Sequence, residues 1–483
     1  MLLVVTIKRG KRDVMKIKYK AFFIPIIVGS LIWLATPVRP AGISVIAWHL
    51  LALFLATIVA CITQPLPIAG VALVSVTILL VLRLAPIKTT MQAFGNKTVW
   101  LVAMAYMISR GFSKTGLGKR MALWFVKLFG KRTLGLAYAI EGIDLVTAPA
   151  IPSNTARAGG IIYPIVKALS ETFHSTPQDH TERKIGSYLI FSEFHANIIT
   201  SALFMTAMSP NLIALSLAES FKIKISWLGW FVAASVPGII CLVTVPYLIY
   251  RLYPPVVRET TNAREWATQE LTKMGAMQLK EKVMLGIFGM ALLLWILSST
   301  LNLDATTVAF IAISLLLLTG VLSVQDILHE TGAWNVVVWF SILIFMANRL
   351  NKLGIIPWLS RAISHQLKGV NWLVVLVVLA LVYFYSHYLF ASQVAHVAAI
   401  YGALLGVAIA AGVPGTLATL ILGFTTAIYS STTQYANGPA SVLFGSGYVK
   451  QSDWWRLNAI LGGYYLLIWI GLELFWLKII GIW

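Results

Sequence analysis

Apolar stretches long enough to cross a membrane follow one another along the chain, separated by short polar or charged connections. The spans that this pattern predicts lie at about residues 21–37, 42–62, 67–86, 98–112, 185–208, 226–251, 283–300, 306–322 and 334–350. Residues 116–132 instead alternate basic and apolar side chains at helical spacing. This alternation predicts an amphipathic helix in the membrane interface. The pattern as a whole predicts an all-α polytopic membrane protein.

Two apolar regions, 134–169 and 373–409, contain polar centres and each consist of two half-length arms. The first centre begins at Ser153 and includes Arg157, and the second begins at Ser392. Polar backbone at bilayer depth is tolerated only where it is buried in protein or lines a wet cavity, and a charge there is costly. We therefore interpret both centres as functional. The alternative for the first is a surface loop between two spans.

The two halves of the chain repeat the same order of features. Gly116 lies 37 residues before Ser153, and Gly354 lies 38 residues before Ser392. A proline interrupts a later apolar segment in each half, at Pro210 and Pro439; a ten-residue polar insert in the first half accounts for their different spacing. Three ordered pairs of this kind indicate an internal repeat.

Charge along the chain sets the expected orientation and boundaries. The tail, residues 1–20, is strongly basic and is expected in the cytoplasm by the positive-inside rule. The mixed-charge stretch 252–282 is expected to be a cytoplasmic linker between two repeats, 21–251 and 283–483, of opposite orientation. An inverted repeat with interrupted segments at matching positions is typical of a secondary transporter whose site lies near the midplane.

Composition excludes other classes of protein. With 59% hydrophobic and 11% charged residues, the chain is not a soluble globular protein. Its net charge of +20 comes from basic residues at the ends of apolar segments, which anchor membrane proteins, so nucleic acid is not an expected partner. Two cysteines within apolar runs offer neither a disulfide framework nor a zinc site.

Two further classes remain as alternatives. An intramembrane hydrolase could use Ser153 with His195 or His396, but no nucleophile, zinc-protease or phosphate-binding motif supports it. A channel also fits the composition, although the paired interruptions favour a carrier. Glu193 and His195, within the span 185–208, either line the pathway or pack against a neighbouring helix.

The motif Ser153-Asn154-Thr155 resembles the first Ser-Asn-Thr signature of the divalent anion/sodium symporter family, which includes the INDY-type dicarboxylate carriers. Its context, SNTARAGGIIYPI, and residues 446–449 resemble the exchanger branch of bacterial citrate/succinate and plastid 2-oxoglutarate/malate antiporters. The resemblance covers about residue 20 to the end. It implies about eleven spans plus two re-entrant hairpins, a scaffold and a transport domain that moves as an elevator, and a homodimer in the bacterial plasma membrane.

The resemblance also implies a substrate cavity formed by the two hairpin tips and two broken spans. Hydroxyls, amides, backbone N–H groups and helix N-termini there would bind carboxylates. The candidate substrate-binding residues are Ser153, Asn154, Thr155, Ser392, Gln393, Ser209, Pro210, Asn211, Asn437, Gly438 and Pro439. No catalytic residue, cofactor or metal is expected.

This chain departs from the family pattern at its second signature, where Val394 replaces a threonine hydroxyl that could bind sodium. Arg157 and His396 each stand four residues after a signature serine, beside the places of the sodium ions in sodium-coupled relatives. A guanidinium there would repel a cation. We therefore expect Arg157, helped by His396, to supply positive charge in place of sodium. The alternative for Arg157 is a structural ion pair with Glu141 or Asp144.

These features predict a sodium-independent antiporter for dicarboxylates of the succinate, malate and 2-oxoglutarate class. Without sodium to reset the carrier, its empty form would carry uncompensated positive charge across the membrane, so its return would require a second anion. A sodium-coupled di- or tricarboxylate symporter is the alternative, and an intramembrane enzyme is a more remote one.

Overall fold

The computed structural model describes residues 19–366 and 369–483, and no β-strand forms among them. The expected all-α class is confirmed, with 77% of the structure helical. Six of the described helices are long and apolar enough to cross a membrane. The full count of eleven spans remains a prediction. Most of the basic tail, residues 1–18, lies outside the described residues.

The helices of the first half end where the chain supplies prolines, glycines and polar caps. For example, the apolar run 21–37 stops as a helix at Leu34, because Pro37 lies in the turn that follows and cannot continue it. The helices are α1 (Phe23–Leu34), α2 (Val45–Thr63), α3 (Ile68–Val81), α4 (Ile87–Met91), α5 (Lys97–Thr115), α6 (Leu117–Phe129), α7 (Thr133–Thr147), α8 (Tyr163–Thr172), α9 (Gly186–Leu203), α10 (Ser209–Glu219), α11 (Trp227–Leu252) and α12 (Thr261–Met274).

The second half contains further helices of the same kinds. Among the described residues, π-helical turns occur at Ala156–Ile162 in the first half and at Val397–Tyr401 and Leu467–Leu472 in the second. The helices are α13 (Leu279–Ile296), α14 (Ala305–Leu318), α15 (Val324–Leu328), α16 (Thr331–Lys352), α17 (Ile355–Gln366), α18 (Trp372–Ser386), α19 (Gln393–His396), α20 (Gly402–Ala410), α21 (Gly415–Ile428), α22 (Gly438–Gly445), α23 (Gln451–Leu466) and α24 (Glu473–Ile479).

The order of elements in one half recurs in the other. A long helix, an amphipathic helix, a hairpin and a broken helix follow one another as α5 to α10 and again as α16 to α22. Gly116 and Gly354, which the spacing paired, both adopt positive φ angles, of 78° and 87°, after α5 and α16. Glycine tolerates this conformation at helix C-termini. This agreement supports the repeat, while the domain boundaries and opposite orientations remain predictions.

The broken helices form the centre of the protein. Every residue of α9 is buried, as is every residue of α21 from Leu417 onward, and the two helices pack against each other. Apolar side chains on α1 and α18, such as Phe23 at 65% exposed, face outward. Outward apolar and central polar residues are the arrangement expected in a bilayer.

The amphipathic helix α6 is fixed to the segment between the halves. Arg120 forms a bidentate pair with Glu281 at 2.7 and 3.2 Å, and both side chains are almost fully buried. The predicted linker is itself partly helical, since α12 packs on α6. Glu270 of α12 lies 2.7 Å from Lys273 and 3.3 Å from Lys119, and these ammonium groups hold its pKa below its usual value.

Candidate functional site

Four helix N-termini meet at the centre of the protein. The two hairpin tips are joined directly, because Asn154 Nδ2 donates a hydrogen bond to Gln393 Oε1 at 3.2 Å. Thr155 lies against Gly438, the first residue of α22. Gln393 Nε2 lies 3.7 Å from the sulfur of Met208, the residue before α10. The sequence motifs predicted at four separate positions therefore come together in one place.

The break between α9 and α10 is stabilised from within. Pro210 lies in the first turn of α10, where its missing N–H leaves no hydrogen bond unmade. Asn211 Nδ2 donates to the carbonyls of Ser201 at 2.8 Å and Phe204 at 3.1 Å, at the C-terminal end of α9, where helical carbonyls lack partners within the helix. The Asn211 amide nitrogen is thus occupied in the break itself, and its Oδ1 has no protein partner.

The break between α21 and α22 uses different residues for the same purpose. Asn437 is the N-cap of α22, and its Oδ1 accepts a hydrogen bond from the backbone N–H of Ala440 at 2.7 Å. Pro439 again lies in the first turn of the helix. The second half-helix therefore also begins at the central site with a fixed N-terminus.

The two signature serines have equivalent roles. Ser153 Oγ accepts from the N–H of Ala156 at 3.1 Å, and Ser392 Oγ accepts from the N–H of Ala395 at 3.3 Å. Each serine thereby caps the helix that leaves its hairpin tip. Since both oxygens act as acceptors in these bonds, each hydroxyl can still donate its own hydrogen to another acceptor.

Arg157 is fully buried in an ion pair with Asp144, which is the structural alternative that the sequence left open; Glu141 is not its partner. Arg157 Nε donates to Asp144 Oδ1 at 3.0 Å. Its Nη1 donates to the carbonyls of Ile151, at 2.6 Å, and Ala207. The guanidinium thus links α7, the first hairpin tip and the break after α9. Because Asp144 balances it, the pair adds no net charge.

His396 is fully buried within the second hairpin. Its Nδ1 lies 3.0 Å from Nδ1 of His387, whose Nε2 lies 2.9 Å from the carbonyl of Ala436. A carbonyl only accepts, so Nε2 of His387 carries the hydrogen, and neutral His387 then accepts from His396 Nδ1–H. His396 Nε2 lies 2.9 Å from Ser386 Oγ. Through His387, His396 is thus linked to the break beside its hairpin, whereas Arg157 contacts its break directly.

Several residues of the central site were not predicted from the sequence. Asn197 and Thr200 of α9 both donate to Asp144, and Ser201 accepts from Arg157 Nη2 at 3.0 Å. The Tyr106 phenol of α5 lies close to the hydroxyls of Ser153 and Ser209. The signal for the α9 residues was a polar stripe at helical spacing within an apolar span.

Glu193 and His195 are both fully buried on α9. His195 Nδ1 lies 2.9 Å from the Tyr465 hydroxyl, which agrees with packing against a neighbouring helix. Val394 is half-buried at the second tip.

Matched helix breaks whose N-termini meet inside an apolar bundle define a membrane transport protein of the secondary carrier type. Comparison with known proteins agrees. Residues 16–483 match the family model described as "Sodium:sulfate symporter transmembrane region". The chain therefore belongs to this family of membrane transporters, and the expectation that it is not an enzyme is confirmed.

Relatives align over nearly the whole chain. The "Putative malate transporter YflS" of Bacillus subtilis is 44% identical over 98% of both chains. "Dicarboxylate transporter 2, chloroplastic" of Spinacia oleracea is 41% identical over 96% of this chain and 84% of its own. The "L-tartrate/succinate antiporter" of Shigella sonnei is 36% identical over 91% and 94%. The expected family resemblance is confirmed.

A solved structure supports the fold alone. The crystal structure of the YdaH transporter of Alcanivorax borkumensis covers 81% of this chain and 87% of its own, with a TM-score of 0.56 and 11% identity.

The contact between Thr155 and Gly438 generates a testable prediction. A Cβ added at Gly438 would lie 2.0 Å from Thr155 Oγ1, so Gly438→Ala should force the first hairpin tip away from α22. Overpacking of this kind costs about 1–3 kcal/mol. We expect a lower thermal unfolding temperature for the purified protein, and partial recovery in the double variant with Thr155→Ala.

Gly445→Ala, in the same helix, is the matched control because a Cβ there meets nothing within 4 Å. Equal unfolding temperatures for Gly438→Ala and Gly445→Ala would show that the contact is absent.

Proposed function

We propose that this protein exchanges dicarboxylates of the succinate, malate and 2-oxoglutarate class across the cell membrane, without sodium. The observation that carries the proposal is the meeting of four helix N-termini, two of which, at the hairpin tips, are joined by the Asn154–Gln393 hydrogen bond. The names of the relatives, a malate transporter, a dicarboxylate transporter and a tartrate/succinate antiporter, support the substrate class.

The site is suited to a molecule with two carboxylates. Each helix N-terminus offers free backbone N–H groups and a partial positive charge of roughly half a unit. Ser153 and Ser392 each add a hydroxyl, one from each half of the chain. One carboxylate would bind between the first hairpin and α10, and the other between the second hairpin and α22. Hydrogen bonds to a charged carboxylate are about twice as strong as neutral ones.

Arg157 gives a reason for the proposed independence from sodium. Its Nη1 lies between the carbonyl oxygens of Ile151 and Ala207, which are ligands of the kind that a hard cation requires. Because a guanidinium is covalently attached and always charged, it neither leaves with the substrate nor admits a cation beside it. The guanidinium thus fills the space that a bound cation would occupy. Because Asp144 is its counterion, the pair adds no net charge to the site.

Exchange follows from the charge of the empty site. No ion travels with the substrate in this proposal. The partial positive charges of the helix N-termini would therefore cross the membrane without a balancing anion whenever the site is empty. Moving unbalanced charge through a low-dielectric layer is costly. An anion on each journey removes that cost, and the antiporter among the relatives acts in this way by its name.

We further propose that the hairpins and broken helices form a body that moves as an elevator against a scaffold containing α5 and α16, within a homodimer whose N-termini are cytoplasmic. The Tyr106 contact with Ser153 and the ion pair of Lys97 with Glu219, at 3.2 Å, would cross the boundary between them. Both contacts would break and reform during transport.

Sodium-coupled symport is the second candidate, favoured by the family description. Uptake of malate into proteoliposomes distinguishes sodium-coupled symport from sodium-independent exchange. We expect labelled malate to enter vesicles preloaded with malate and not empty ones, because return requires an anion. Replacing external sodium with choline at constant ionic strength should leave the initial rate unchanged. Uptake into empty vesicles driven by a sodium gradient would instead establish symport.

The Asp144–Arg157 pair generates a second prediction for transport. Arg157→Ala leaves a buried carboxylate without its counterion, which costs about 3–5 kcal/mol, so unfolding temperature and exchange should both fall. The double variant Asp144→Asn/Arg157→Gln should regain much of the stability but not the exchange, because the space between the carbonyls is no longer filled by a cation. Lys167→Ala, which breaks an exposed pair of 3.9 Å, is the control. Full exchange by the double variant would make the pair purely structural.

A further inference from the structure

Two buried glutamates beside the central site have no use in the mechanism above. Glu193 of α9 is completely buried, and neither of its carboxyl oxygens has a hydrogen-bond partner. Glu141 of α7 is 4% exposed, and its Oε1 likewise has no partner. Ionisable side chains within membrane-spanning helices are costly and generally functional.

Glu141 stands one helical turn from Asp144, and Glu193 stands one helical turn from Asn197, a residue that contacts Asp144. Glu141 precedes Asp144 by three residues on α7. Glu193 precedes Asn197 by four residues on α9, and Asn197 Nδ2 lies 3.4 Å from both oxygens of Asp144. Residues at these spacings share a helix face, and α7 packs against α9. Three carboxyl groups thus lie on two packed helices that hold a single guanidinium between them through Asp144, Thr200 and Ser201.

That guanidinium has no donor left for either glutamate. Arginine has five N–H groups. In this structure one binds Asp144, two bind carbonyls, and two bind the hydroxyls of Ser201 and Thr200, at 3.0 and 3.5 Å. An ionised carboxylate with neither a donor nor a counterion is strongly disfavoured in such a place, whereas a protonated one is not.

The side-chain oxygen of Asn197 also lacks a hydrogen-bond partner. Asn197 Oδ1 is an acceptor, is buried and has no hydrogen-bond donor. It lies one turn along the same helix face from Glu193. A protonated carboxyl carries an O–H donor, so a proton on Glu193 would also supply the donor that this amide oxygen needs.

Other groups around Glu193 do not supply a counterion. Helices α21 and α22, which pack against α9, contain no titratable residue. The neighbouring elements and α9 itself contribute Tyr138, Glu141, Asp144, Arg157, Tyr163, Lys167, Glu171, Tyr188, His195, Cys241, Tyr247, Tyr250, Arg251, Tyr429 and Tyr465. Of the three cations, Arg157 has all its donors occupied, Lys167 is half exposed beside Glu171, and Arg251 is exposed in the last turn of α11.

We propose that Glu193, with Glu141 beside it, is a proton-binding site of the carrier. The inference rests on the exchange function proposed above. A proton from water binds a carboxylate oxygen of Glu193, and the carrier moves only while that proton is held, because an ionised Glu193 would add a negative charge without a counterion to the moving body. At alkaline pH the proton returns to water, and the ionised site stops the movement. No bond other than O–H forms or breaks.

Malate homoexchange, with equal malate and equal pH on both sides of the vesicle membrane, tests the proposal. Above pH 7 both malate carboxyls stay ionised, so pH acts on the protein alone. We expect the wild-type rate to fall at alkaline pH, by about tenfold per pH unit beyond the midpoint of a one-proton step. Glu193→Gln, a neutral isostere, should keep its rate across that range. Glu171→Gln, on the exposed side of α8, should behave as wild type.

Infrared spectroscopy gives a readout separate from transport. A protonated carboxyl has its own carbonyl band; the wild-type band should weaken over the same pH range as the rate and be reduced in Glu193→Gln. If Glu193→Gln does not fold, the test uses wild type and Glu141→Gln. The proposal then predicts that the carbonyl band and the exchange rate of wild type change over the same pH range, and that Glu141→Gln shifts both pH ranges together.

Identical pH profiles for wild type and Glu193→Gln would overturn the proposal, as would a wild-type band that does not change with the rate. Failure of wild type to exchange malate at any pH would instead overturn the proposed function. Stimulation of wild type by sodium in place of choline would contradict the sodium independence of the proposed function, and loss of that stimulation in Glu193→Gln would mean that this glutamate binds a metal cation and not a proton.

Discussion

A guanidinium inside a membrane protein must have its charge balanced and its donors occupied, and the arrangement around Arg157 meets both conditions. Asp144 balances the charge, and oxygens from three other segments accept the remaining hydrogens. These partners lie on α7, at the first hairpin tip, on α9 and in the break after it. Removing the side chain would therefore disconnect the elements whose ends form the central site.

The two halves of the protein use different side chains at the equivalent position after the hairpin tip. The first half places a permanent cation with a counterion after its hairpin tip, and the second places His396 there, in contact with His387. Arg157 reaches the neighbouring break directly, at Ala207, whereas His396 reaches its break at Ala436 through His387. Both hairpins also continue into a π-helical turn directly after the tip. Such turns occur often at functional sites, because they reorient side chains without ending the helix.

Much of this arrangement could be predicted from the sequence, because interruptions of apolar segments are local signals. The glycines at 116 and 354 and the breaks at Pro210 and Pro439 lie where spacing alone placed them. The partner of Arg157 could not be chosen between Glu141 and Asp144, since both lie on one face of α7 and the π-helical turn sets the reach of the arginine. The role of Asn211 in closing α9 was equally hidden, because it depends on the path of the chain between two helices.

Binding of substrate in the presence and absence of sodium tests the central claim most directly, because it involves neither a gradient nor movement. Malate affinity of the purified protein can be followed by thermal stabilisation while sodium replaces choline at constant ionic strength. If Arg157 occupies the place of the cation, the affinity for malate is the same in both salts. A saturable increase in affinity of tenfold or more with sodium would show that a cation site remains open and would contradict the account.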